Sequence, residues 1–216
     1  MLESKRNLIT TNNALKGVKI RVRTEQMNKR DFKTQFKITR EKLNPDEKVI
    51  EGYFALYESE TELFPNTFEI ISKGAFDNTL KNDIRALWNH STQYVLGRNT
   101  SGSLELRVDE KGLFGIIKLP NTQYANDLFE LVQRGDVDQC SFGFNILNED
   151  LEELASGGYR WRINEIDLHE ISVVTFPAYE NTSVQARHKQ VEQIEQRKLQ
   201  EKKDKLTKKI KGLTKC

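Results

Sequence analysis

Acyl transfer by protein side chains needs a hydroxyl or thiol nucleophile, a base to take its proton, and a group that orients the base. The chain has only three histidines, so the search for the base is short. His188 lies in a Lys/Gln/Glu-rich tail and is a poor candidate. His90 closes the run Ile84–His90, directly before the polar Ser91-Thr92-Gln93, where rigid backbone can hold a side chain that solvent reaches. On position alone the plainer reading is a surface histidine. Ser141 sits in Gln139-Cys140-Ser141-Phe142-Gly143-Phe144-Asn145-Ile146. Period-two alternation puts Cys140, Phe142, Phe144 and Ile146 on a core face and Ser141, Gly143 and Asn145 on a small, polar, open one. Gly143 leaves bare backbone along which a substrate chain can lie. The competing reading is a half-exposed strand whose serine is idle. Cys140 points with the phenylalanines and reads as a buried, inert thiol.

The third run is Leu168-His169-Glu170-Ile171-Ser172-Val173-Val174. Alternation puts Glu170 and Ser172 on a face with Leu168 and Val174, and His169 with Ile171 and Val173. A carboxylate in so apolar a strand is costly to bury alone, and an imidazole N–H is its natural partner. A surface ion pair with an arginine is the alternative.

The elements that must position these residues are mostly strands. Val49–Ala55, Phe68–Ile71, Ile84–His90, a hairpin of Leu104–Val108 and Leu113–Leu119, Gln139–Leu147, Tyr159–Asn164 and Asp167–Thr175 all read as β. Pro45-Asp46 makes a turn, Gly157-Gly158 turns between two late strands, and Pro177 stops the last. Ser72 offers to cap a short helix containing Ala75, Phe76 and Leu80. Asn121 or Thr122 caps a stronger one, with Tyr124, Ala125, Leu128, Phe129, Leu131 and Val132 at helical spacing and Gly135 at its end. Val191–Leu213 reads as a charged helix without a sustained heptad seam.

The 216 residues carry 34 Lys+Arg and 32 Asp+Glu, but the near-balance hides an asymmetry. Residues 1–42 are net +8 and 187–216 net +7, around a body, 43–186, that is net −13. Basic ends around an acidic body read as a flexible N-terminal arm and a helical tail, with Met27 a second plausible start. No run of eighteen apolar residues exists, so no membrane span is expected, and the first residues lack a secretory signal's apolar stretch. Two cysteines, Cys140 and Cys216, make no disulfide framework, no Cys/His cluster has zinc spacing, and a reducing compartment is expected. Neither metal nor cofactor is called for. The acidic body and the lack of interleaved aromatics in the arms argue against nucleic acid.

Gly52-Tyr53-Phe54-Ala55, Gly74-Ala75-Phe76, Trp88-Asn89-His90, Leu96-Gly97-Arg98, Gly112-Leu113, Cys140-Ser141-Phe142-Gly143-Phe144, and Glu170-Ile171-Ser172-Val173-Val174 through Phe176-Pro177-Ala178-Tyr179 follow one another in order. Together they resemble the prohead (capsid maturation) proteases of tailed phages, the HK97 type, distantly related to the herpesvirus assemblins. The resemblance runs from about residue 48 to 186. It implies an α+β, mostly β fold: an assemblin-like β-barrel core with a few surrounding helices.

It also implies a serine endopeptidase over 43–186 that cleaves major capsid or scaffold protein inside the immature procapsid, in the host cytoplasm. The family's histidine falls on His90, its nucleophile on Ser141 and its acid on Glu170. The herpesvirus relatives use a second histidine as third member, which would be His169; the phage pattern selects Glu170. Self-cleavage of the arms and a homo-oligomer stay open. The main alternative is a non-catalytic assembly or scaffolding domain on the same fold; a small-ester hydrolase is a second. The Gly157-Gly158-Tyr159-Arg160 loop is the candidate source of oxyanion-hole donors.

Overall fold

Alternating apolar residues separated by turn formers give a succession of strands in one compact unit, Met1–Ala178, and a single long helix in the other, Tyr179–Cys216. The computed structural model describes residues 18–20, 27–33, 36–40, 48–155, 157–176 and 181–213. The Pro45-Asp46 turn, Pro177 and Cys216 lie outside them. In chain order the elements are β1 (Val18–Ile20), β2 (Asn28–Lys33), β3 (Lys37–Arg40), β4 (Lys48–Leu56), β5 (Thr61–Phe64), β6 (Thr67–Ile71), β7 (Arg85–Trp88), β8 (Ser91–Arg98), β9 (Leu104–Val108), β10 (Gly112–Lys118), α1 (Gln123–Arg134), β11 (Gln139–Glu153), β12 (Tyr159–Val174) and α2 (Asn181–Leu213).

The spine is the β11–β12 hairpin, antiparallel from Gln139↔Val174 to Glu153↔Tyr159. On its outer side β11 pairs with β1 and β2. β12 runs parallel to β6 through Tyr159–Ile163 and parallel to β7 through Glu170–Val173; β5 then pairs with β6, and β8 with β7. A second, antiparallel sheet has the order β3-β4-β10-β9. The sheets share one core, in which Ile50, Phe54, Leu113 and Ile117 join Phe142, Phe144, Ile171, Val173 and helix residues Leu128 and Phe129. At Gly115 a Cβ would stand 2.9 Å from the Phe54 ring and 3.1 Å from Ile171 Cδ1, so the sheets approach too closely there for any side chain.

The closed barrel implied by the resemblance does not form: among the described residues the strands make two open sheets. Within the larger sheet β12 exchanges β6 for β7 along its length.

The structure differs from the sequence reading elsewhere too. Tyr159–Asn164 and Asp167–Thr175 are one continuous strand, and Ser91-Thr92-Gln93 opens β8 instead of a loop. The short helix after Ser72 is a series of turns closed by i→i+3 bonds, with Gly74 left-handed at φ +85°. β1, β2 and β3 all come from 1–42, the stretch read as a basic arm. Of these, β2 is tied down by Arg30, whose guanidinium grips the buried Glu69 carboxylate through Nε and, at 2.8 Å, Nη2. α1 ends as expected, with Gly135 at φ +81° and its N–H directed to the carbonyls of Leu131 and Val132.

In the second unit α2 is a 33-residue helix on which Leu199, Leu206 and Ile210 stay exposed. It begins at Asn181, ahead of the expected boundary at 187.

Candidate active site

His90 reaches its place through a two-residue hairpin. Trp88 pairs with Ser91, leaving Asn89 and His90 as the central residues, both left-handed at φ +53° and +58°. Two positive φ values are what the right-handed twist of paired strands demands of so short a turn. Asn tolerates that conformation; a histidine there is strained by about 1–2 kcal/mol and must be held. Asn89 donates its N–H to the Val173 carbonyl (3.0 Å), accepts the Thr175 N–H on Oδ1 (2.9 Å), and donates Nδ2–H to Thr175 Oγ1 (3.4 Å). The turn is thereby fastened to the end of β12.

Glu170 is aimed by an irregularity in β12. The ladder pairs Gly143 with Glu170 but Phe144 with Leu168, so His169 is an extra, bulged residue. The bulge reverses the parity of the strand. Leu168, Ile171 and Val173 all enter the core, although unbroken alternation would separate the first from the others. Glu170 and Ser172 are thereby freed from the apolar face. Both are buried, at 4% and 0% exposure. Glu170 Oε1 lies 2.6 Å from His90 Nδ1, and Oε2 accepts the Ser172 hydroxyl at 2.5 Å. Toward a carboxylate, which only accepts, the contact is made by the tautomer with its proton on Nδ1, and that tautomer leaves Nε2 as the ring's acceptor nitrogen.

Ser141 stands directly opposite Ser172 in the ladder, a position that brings Cβ atoms to about 4.5–5.5 Å. Its hydroxyl is fully buried and makes no hydrogen bond. The structure therefore joins His90 to Glu170 directly and sets Ser141 on the adjoining strand, unbonded to the imidazole. The face holding Ser141 and Gly143 is closed, not open as alternation suggested. Ser141 is wholly buried, and β2 pairs along the outer edge of β11, Ser141 opposite Asp31 and Gly143 opposite Lys29. Nor is Gly143 left bare for substrate. A Cβ there would stand 2.5 Å from Glu170 Oε1 and 2.9 Å from Met27 Sδ, so the missing side chain makes room for the carboxylate.

The other sequence candidates lie apart from this cluster. His169 is 39% exposed, 3.8 Å from Asp167 Oδ2, and alternates away from Glu170. His188 pairs with Glu192 one turn along α2. Cys140 is buried and donates its thiol to the Tyr53 carbonyl at 3.3 Å. The Gly157-Gly158 loop is at the far end of the hairpin, twelve residues along β11 from Ser141, or about 40 Å of strand; its N–H groups do not reach the serine. Ser172 and Asn89 are the site residues that alternation alone did not single out. The signal for Asn89 is its place beside a histidine in a tight turn; Ser172 gives none beyond being polar in an apolar run.

The described residues contain no group of three His, Cys, Asp or Glu placed to hold a metal ion, and no helix long and apolar enough to cross a membrane. Fold and site define a mostly β protein of two packed sheets with a buried histidine–glutamate pair beside a serine strand. The chain belongs to the caudovirus prohead serine protease family, whose model matches residues 34–197. It is similar to the prohead protease of Enterobacteria phage HK97, 35% identical over 144 residues, which cover 63% of this chain and 61% of that protein's length. It also resembles the solved bacteriophage T4 capsid assembly protease, with a TM-score of 0.46 and 11% identity over 69% of this chain and 97% of that one.

Proposed function

We propose that this chain is a serine endopeptidase that cleaves capsid or scaffold protein, and its own basic ends, inside the immature prohead in the host cell. Ser141 is the nucleophile, His90 the general base and acid, and Glu170 the group that orients the imidazole. The single observation that carries the reading is the buried 2.6 Å contact between His90 Nδ1 and Glu170 Oε1, beside a strand whose register sets Ser141 two residues from Glu170's partner Gly143, on the same face.

In the reaction, His90 Nε2 takes the Ser141 proton as Oγ attacks the peptide carbonyl, then returns it to the departing amine. Glu170 stabilises the imidazolium between these steps, with its other oxygen already held by Ser172. Ser141 is fully buried, so a substrate reaches it only after its surroundings rearrange. Contacts in a resting serine enzyme commonly tighten only when substrate binds.

Co-expression of the full chain with its cognate capsid protein, followed by intact-mass analysis, tests the reading. Wild type is expected to shorten the capsid protein at a defined bond, and Ser141→Ala to leave it whole. Equal processing by both proteins would refute it. Uncut capsid protein with both would favour the non-catalytic assembly domain.

A further inference from the structure

We infer that Ser172 is a positioning residue for the proposed triad, acting on His90 and Glu170 together. The inference rests on the reading of Ser141, His90 and Glu170 as that triad. Ser172 is fully buried, and its hydroxyl does two things at once. It donates to Glu170 Oε2 at 2.5 Å, and it accepts the backbone N–H of His90 at 3.3 Å. With the His90 Nδ1 to Glu170 Oε1 contact at 2.6 Å this closes a ring: backbone of His90, hydroxyl of Ser172, carboxylate of Glu170, imidazole of His90.

Each side of the ring removes a freedom that would misplace the base. The bond to Oε2 fixes the carboxylate plane, so that Oε1 meets the imidazole. The bond from the His90 N–H anchors a backbone at φ +58° that a histidine does not adopt unaided. Ser172 is also the ladder partner of Ser141, so the residue that aligns the base stands beside the nucleophile. A serine suits the task because its one proton and its lone pairs can be used in opposite directions. Alanine at 172 would leave a carboxylate oxygen and an amide N–H without this partner in a site closed to water.

The test uses the full chain and a biotinylated fluorophosphonate, which needs an activated serine but no knowledge of the natural cleavage site. Ser141 Oγ forms a bond to phosphorus, the P–F bond breaks, fluoride leaves, and the serine proton passes to His90. The rate at saturating probe (kinact) and the half-saturating concentration (KI) are measured for wild type, Ser172→Ala and Ser172→Thr. The labelled residue is located by peptide mass, and folding is checked by circular dichroism.

Ser172→Ala is expected to lower kinact about 10- to 100-fold with KI unchanged within about twofold, because alignment is lost and not probe binding. Threonine keeps the hydroxyl and restores most of the rate; if the added methyl prevents folding, the split between kinact and KI in the alanine variant decides. A Ser172→Ala protein that labels at the wild-type rate, or one that loses only KI, overturns the positioning role while leaving the triad intact. Wild type labelled on Ser172 instead of Ser141, or not labelled at all, overturns both.

Discussion

The two ends of the β11–β12 hairpin treat polar side chains in opposite ways. At the far end, Arg160 and Arg162 share Glu152 and reach out to Glu60 and Glu58, forming a charge ladder whose side chains are 27–44% exposed. At the near end Ser141, Glu170 and Ser172 are almost wholly buried. Exposed pairs are screened and contribute little, and each can be lost at small cost. Buried polar groups are expensive to desolvate, and an unmade bond there is not replaced by water. The Ser141 hydroxyl is such a group, buried with no hydrogen bond. A fold selected for stability alone would place an alanine there. On the proposed reading, the difference separates a solvated face of the sheet from a site kept for chemistry.

Ser141→Ala is the substitution that bears hardest on this contrast. Proteolysis is expected to fall at least about 1,000-fold, since removing a triad nucleophile leaves only residual catalysis. Stability is expected to stay level or rise by up to about 1 kcal/mol, because an unsatisfied buried hydroxyl is removed. Intact-mass assays and urea melts on the same preparations check both halves. A clear loss of stability would show that the hydroxyl has a structural partner and would break the contrast.

Glu170→Gln comes next. The carboxylate accepts from two donors, Nδ1–H of His90 and the Ser172 hydroxyl. A carboxamide has one oxygen and one NH2, so it meets one of those donors with a donor of its own. If the imidazole adapts by moving its proton to Nε2, the base of the proposed mechanism is lost. Cleavage is expected to drop about 1,000-fold or more, and fluorophosphonate labelling of Ser141 to slow in parallel.

Gly143→Ala probes the same pocket sterically. Its Cβ would stand 2.5 Å from Glu170 Oε1, so either the carboxylate or the strand must shift. A loss of about 1–3 kcal/mol in a urea melt is expected, with a roughly 100-fold slower reaction from the displaced pair. Normal activity in this variant would mean that Glu170 has latitude that the ring through Ser172 denies it.

Local signals were legible where they are self-contained. The helix that became α1 carries its own periodicity and its Gly135 stop, and the β9–β10 hairpin its own turn. His90, Ser141 and Glu170 are proposed from residue type and family likeness, and the burial of Cys140 was legible from alternation. Three things were not legible, each because it depends on a partner distant in sequence. Alternation assigns Leu168 and Glu170 to one face; the bulge at His169, invisible to a count of two, separates them. The open face expected for Ser141 is buried, and the edge of its strand is paired by β2, drawn from a stretch whose charge suggested a detached arm. Ser172 lies in an apolar run and acquires meaning only once the β7–β8 turn is folded onto β12.

The smallest effect is expected at the exposed end. Hydrogen bonding to Arg162 holds the Glu58 carboxyl below its ordinary range, against a lesser opposing push from burial. A depressed carboxyl pKa stabilises the fold above the pKa of the unfolded chain, and that contribution is lost as pH falls through the depressed value. Glu58 is 44% exposed, so screening reduces the stabilisation to less than about 1 kcal/mol. Arg162→Gln is therefore expected to cost under about 1 kcal/mol near neutral pH and less in high salt. At a pH where Glu58 is protonated the ion-pair contribution vanishes and the variant approaches wild type. Urea melts at neutral and acid pH, each in low and high salt, measure this directly. A cost of several kcal/mol, insensitive to salt, would make the charge ladder a buried network and remove the distinction between the two ends of the hairpin.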